Sequence, residues 1–140
     1  MIKGGIKKGK DLNRTHFGTI TLLMMASTFN FLEEVDLLIK NGADVNIQDN
    51  KYGGTALMAA AENNFIEIVK LLVKAGAKIN ATQNKGGTAL MGAVKCNSYE
   101  VVEFLIENGA DVNATDNMGW TAKNYANNSK MRELIENHAK

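Results

Sequence analysis

Few residues in this sequence are of types that could catalyse a reaction, and their spacing keeps them apart. The single cysteine, Cys96, and the two histidines, His16 and His138, are separated by 80, 42 and 122 residues. A nucleophile needs a base within hydrogen-bond reach and a third group to orient that base. No Cys-His or Ser-His-Asp set answers that description, so no enzyme is expected. Cys-x-x-Cys and paired-histidine spacings are missing too, so neither a metal nor another cofactor is expected. The Gly-Gly pairs at 53–54 and 86–87 are too short and too regularly placed for a phosphate loop and suit hairpins instead. Glu33, Glu34 and Asp36, and Glu100, Glu103 and Glu107, fall at helical spacings and read as solvated helix faces. The chemistry left is recognition. Trp and Tyr are the side chains most enriched at interface hot spots. Phe29, Tyr52, Met118 and Trp120 are candidate apolar anchors, rimmed by Lys51, Lys85 and Lys95.

These candidates occupy variable positions of a repeat. Thr21, Thr55, Thr88 and Thr121 are spaced by 34, 33 and 33 residues, and Gly42, Gly76 and Gly109 by 34 and 33. A period in this range marks stacked supersecondary units, each too small to bury its apolar face alone. Within one unit Thr55 is placed to cap a short helix. Leu57, Ala60 and Ala61 give that helix an apolar face, with small residues that admit a close neighbour. Asn63 and Asn64 suit a turn. Ile66, Ile68, Val69, Leu71, Leu72 and Val73 make a second helix that is apolar around much of its circumference, as expected for burial on more than one side. Gly76 closes it in a left-handed conformation.

This pattern resembles the ankyrin repeat, whose signature is Thr-Pro-Leu-His-x-Ala in about 33 residues. Thr21, Leu23 and Ala26, Thr55, Leu57 and Ala60, and Thr88, Leu90 and Ala93 stand in the matching places. Gly-Ala-Asp-Val-Asn, which ends such repeats, appears at 42–46 and 109–113, and as Gly-Ala-Lys-Ile-Asn at 76–80. The signature proline is absent and its histidine is Met24, Met58, Met91 or Asn124. This Thr-Ala-Leu-Met variant looks like a bacterial style of the repeat. In the family that histidine ties the turn by hydrogen bonds, so here more cohesion is expected from packing. The resemblance implies an all-α ankyrin solenoid of helix-turn-helix units joined by short β-hairpin-like loops.

The organisation expected is one domain over 1–140. It holds a partial repeat or cap at 1–13, repeats at 14–46, 47–80 and 81–113, and a C-terminal capping repeat at 114–140. The last is expected because Lys123 replaces a core leucine and Asn137 and His138 fall where Phe104 and Leu105 would recur. Leu23, Ala26, Val35, Leu38 and Ile39 should be core, and Phe31, which matches Phe65, should pack.

The resemblance implies that a partner protein is bound through a concave face of hairpin tips and first helices. The positions this singles out are Gln48, Asn50, Lys51, Tyr52, Glu62 and Asn63, then Thr82, Asn84, Lys85, Lys95 and Cys96, then Thr115, Asn117, Met118, Trp120, Asn128 and Ser129, with Phe17, Ile20, Thr28 and Phe29 extending the row backwards. The lysine rim suggests a partner of some acidic character. One alternative is a regulatory or inhibitory subunit of an enzyme or transporter. Another is nucleic-acid binding through the basic start, Lys3, Lys7, Lys8, Lys10 and Arg14, although a net charge of +1 argues against it. A structural spacer is a third. A single cysteine excludes an internal disulfide and favours a reducing compartment. No apolar run approaches a membrane span. A cytoplasmic monomer is therefore expected.

Overall fold

A computed structural model describes residues 12–16 and 20–138; most of the basic start and Phe17 lie outside the described residues. Seven α-helices are present among those residues: α1 (Leu22–Thr28), α2 (Leu32–Lys40), α3 (Ala56–Glu62), α4 (Ile66–Lys74), α5 (Ala89–Lys95), α6 (Tyr99–Glu107) and α7 (Ser129–His138). A single 3-10 turn, Lys123–Tyr125, precedes α7. The short first helices α1, α3 and α5, followed by the 3-10 turn, stack as one layer, and α2, α4, α6 and α7 form a second layer behind them. Thr15–His16 pairs antiparallel with Ile20–Thr21 in a minimal hairpin.

Local chemistry repeats with the sequence. The hydroxyls of Thr21, Thr55 and Thr88 accept from the amides of Met24, Met58 and Met91 at 3.2, 3.2 and 3.3 Å. Each satisfies one of the orphan donors of a helix start. The turn between the two helices passes through Asn30, Asn64 and Asn97, at φ of 61°, 56° and 59°. Asparagine tolerates that left-handed region better than most residues. Ala26, Ala60, Ala61 and Ala93 are wholly buried, which lets the paired helices approach closely. The larger core residues are Val35, Leu38, Ile68, Val69, Leu72, Val101, Val102 and Leu105, all fully buried. Ile39, Ile66, Leu71 and Val73 are only partly buried against them.

Cohesion between repeats is more polar than the methionines suggested. Asn46 accepts from the amide of Lys78 at 2.8 Å and donates to the carbonyl of Gly76 at 3.1 Å. Asn80 makes the same pair with Asp111 and Gly109, at 2.8 and 3.1 Å. Asn13 likewise accepts from Asp44 at 2.7 Å. Asn13, Asn46 and Asn80 therefore each tie the segment that closes one unit to the corresponding segment of the next. Met24 also departs from expectation: its sulfur accepts from the Thr21 amide at 3.5 Å, a weak bond that completes a capping box.

Phe31 does not pack as expected and is 48% exposed. The equivalent Ser98 and Met131 are buried; Ser98 donates to the Glu62 carbonyl of the preceding repeat. Among the described residues no helix pair precedes Phe31 to cover it in the same way.

Candidate partner-binding surface

The tips are held from within by one acceptor side chain each. Asp49 accepts from the amides of Lys51, Tyr52 and Gly54 at 2.9, 2.6 and 2.8 Å. Gln83 does the same for Lys85 and for Gly87, the latter at 3.2 Å. Asp116 accepts from Met118 and Trp120 at 2.9 and 3.0 Å, and its other oxygen takes the Tyr125 hydroxyl. These bonds, the tyrosine hydroxyl foremost, hold the Asp116 carboxyl below the usual carboxylate range. The same contact pushes the Tyr125 phenol up.

Neighbouring tips are then joined to one another. The Asn84 amide donates to Tyr52 at 2.8 Å and its side chain to Lys51 at 3.1 Å. Asn117 repeats this with Lys85 at 2.9 Å and Asn84 at 3.4 Å. Gln48 reaches the Thr82 carbonyl at 2.8 Å. Gly53 and Gly86 make these close approaches possible. A Cβ on Gly53 would meet Asn84 Oδ1 at 2.6 Å, and one on Gly86 would meet Asn117 Oδ1 at 2.9 Å. Gln48, Asn84 and Asn117, expected among partner contacts, thus use their side chains to fasten the tips.

Two adjoining clefts lie between the tips and the first helices. The larger, about 340 Å³, is lined by Ile20, Met24, Asp49, Tyr52, Met58 and Glu62 among others. The smaller, about 150 Å³, is lined by Met58, Glu62, Gln83, Gly92, Lys95 and Tyr125 among others. Met58, Glu62 and Gln83 belong to both. Gly92 gives the Glu62 side chain its place: a Cβ there would stand 3.0 Å from Glu62 Cγ. Burial pushes the Glu62 carboxyl up, and the charge of Lys95 partly offsets this.

Of the candidate anchors and rim lysines, Tyr52 and Lys95 line the clefts; Ile20, Thr28 and Glu62 of the wider row do so too. Trp120 is 42% exposed and packs on Tyr125 with ring centroids 5.1 Å apart. Lys95 Nζ lies over the Tyr125 ring, 5.9 Å from its centroid. Lys51 covers the Tyr52 ring at 5.2 Å. Met118, at 74% exposure, stands on the same tip as Trp120, and Lys85 on the tip between Tyr52 and Trp120. Phe29 is set apart; it pairs with Phe31 at 6.1 Å and lines neither cleft. Tyr125 was missed in the sequence. It falls 33 residues after Gly92, at the first-helix position that faces the clefts, and phase alone could have found it.

The sequence model described as ankyrin repeats matches three times, over residues 5–83, 23–116 and 81–140. The chain belongs to the ankyrin-repeat family. As a family these repeats are protein–protein interaction modules and are typically non-enzymatic. A search of curated proteins finds no match. No helix among the described residues is long and apolar enough to cross a membrane.

Proposed function

We propose that this chain binds one partner protein non-covalently through its tips and first helices. Catalysis has no part in this reading, and the chain acts as a cytoplasmic monomer. Tyr52 and Trp120, with Met118, are the apolar anchors, and Lys51, Lys85 and Lys95 meet acidic groups of the partner. Phe29 would extend the site only for a partner long enough to pass the end of the first helices. The observation that carries this reading is the pre-ordering of the exposed aromatics. The backbone of each tip is fixed by its own Asp49, Gln83 or Asp116 and by its neighbour. A partner that lands on Tyr52 and Trp120 therefore has little ordering cost to meet, and that cost is what separates weak from tight interfaces of equal area.

The test is capture from native lysate by wild type and by the double variant Tyr52→Lys/Trp120→Lys, with folding checked by circular dichroism. A protein retained by wild type and lost by the variant is the expected result. Equal recovery by both would remove these residues from the site. If the captured protein is an enzyme or transporter, its activity with and without this chain separates a regulatory role from simple tethering.

A further inference from the structure

Three metal-ligating side chains of different chemistry converge in the second-helix layer, away from the clefts. Glu103 and Glu107 stand one helical turn apart on α6, and His138 reaches them from the end of α7. One donor atom from each lies within 4.8 Å of the others. The imidazole is oriented from outside the cluster. Its Nδ1 lies 3.1 Å from the Leu134 carbonyl, and its Nε2 3.2 Å from a Glu103 carboxylate oxygen. In the tautomer with its proton on Nδ1, the ring donates to the Leu134 carbonyl and presents the Nε2 lone pair to the carboxylates. In that form three lone-pair donors lie close together, an arrangement that a cation would complement. Backbone anchoring of Nδ1 with Nε2 turned inward is how metal-bound histidines are commonly held.

We infer that Glu103, Glu107 and His138 form a binding site for a divalent first-row transition cation such as zinc. The donor set selects this class. Imidazole nitrogen suits zinc, copper, iron and nickel, whereas calcium and magnesium take oxygen ligands alone. The distances are compatible. Tetrahedral ligands at bond lengths of about 2.1 Å stand about 3.4 Å apart, so the side chains need to close by little more than an ångström. All three are solvent-exposed, which leaves their rotamers free to make that adjustment and leaves further coordination positions to water. The site joins two helices. Beside it α7 is held by the buried Met131 and Ile135 and by the exposed pair Lys123–Glu136 at 2.7 Å. Because an ion there would bridge α6 and α7, its binding adds to the stability of the C-terminal unit.

The inference is independent of the partner site. Its test is calorimetric titration of zinc chloride into the full chain carrying Cys96→Ser, which removes the exposed competing thiol. Thermal unfolding is followed alongside. One equivalent of zinc should bind and raise the unfolding temperature. Glu107→Gln is the decisive variant: it removes a ligand and leaves the contact between His138 and Glu103 in place. It and His138→Ala should each weaken binding roughly tenfold or more, while Glu67→Gln on α4 should not. Zinc should also shift the His138 Nε2 resonance. Absence of binding by the parent chain would overturn the site, as would binding by Glu107→Gln and His138→Ala as tight as the parent's; an ion pair between His138 and Glu103 would then account for the geometry.

Discussion

The third repeat and the unit after it start from the same 33-residue frame and end differently. In the third, Thr88 caps a seven-residue helix whose Leu90 is 1% exposed. In the last, Lys123 stands where Leu90 did and is exposed, pairing with Glu136. The helix shrinks to the three-residue turn Lys123–Tyr125. The threonine reverses its role as well. Thr88 Oγ1 accepts from the Met91 amide, whereas Thr121 donates to Asn124 from both its amide and its hydroxyl, at 2.8 and 3.1 Å. Helix α7 then receives a cap of its own, Asn128, which accepts from the Met131 amide at 2.8 Å. The second helices of the repeats have no side-chain cap. Burying a leucine is what makes the first helix of a repeat worth forming; with a charge in its place the unit keeps Ala122, Ala126, Met131 and Ile135 as its buried core residues.

Substitutions at equivalent positions can break this comparison. Leu90→Ala should cost about 2–5 kcal/mol, the range for a fully buried leucine. Lys123→Ala should cost less than about 1 kcal/mol, because an exposed ion pair contributes little. Urea unfolding of both variants gives the contrast directly, and equal losses would refute it. A smaller effect is expected along the asparagine ladder. Asn80→Ala removes two cross-repeat hydrogen bonds and should cost about 1–3 kcal/mol at roughly 0.5–1.5 each. Asn113 holds the same place one repeat later, yet its side chain makes no such bond among the described residues, so Asn113→Ala should be near neutral.

The smallest effect separates two carboxylates by pH. The Glu62 carboxyl is raised, mainly by burial. Its charged form therefore disfavours the fold at neutral pH, and that cost is relieved as pH falls through the raised value. Glu62→Gln should stabilise slightly at pH 7 and flatten this rise. The Asp116 carboxyl is lowered, chiefly by Tyr125. It supports the fold above the ordinary carboxylate range of about 4 and loses that support as pH falls through its depressed value. Asp116→Asn should therefore remove a loss of stability at the acid end. Thermal unfolding between pH 3 and 7 reads both slopes, and opposite signs would contradict the assignments.

Much of the fold was legible because period and phase carry it. The spacing of Thr21, Thr55 and Thr88 located the first helices and their caps, and Gly42, Gly76 and Gly109 the ends of the second helices; these glycines have φ of 93°, 97° and 98°. Two kinds of feature were not legible. Cross-repeat bonds such as those of Asn46 and Asn80 join residues about 30 apart, although a recurring Asn at the end of each repeat was a visible signal. Contacts that depend on which side of a unit is covered escaped too. Phe31 and Phe65 look equivalent by sequence, yet among the described residues only the latter has a helix pair stacked before it. For the surface, the tips carrying Tyr52 and Trp120 could be placed from phase, while Tyr125 and the convergence of Glu103, Glu107 and His138 required the packing of one unit on the next.

The central claim is that recognition resides on the tip and first-helix side and not on the second helices. Capture by wild type should be compared with two double variants of equal size, Tyr52→Lys/Trp120→Lys on the tips and Glu67→Lys/Glu100→Lys on α4 and α6. The account predicts that the first loses the partner and the second keeps it. Loss with the second variant and retention with the first would place the binding surface on the opposite layer and contradict the account.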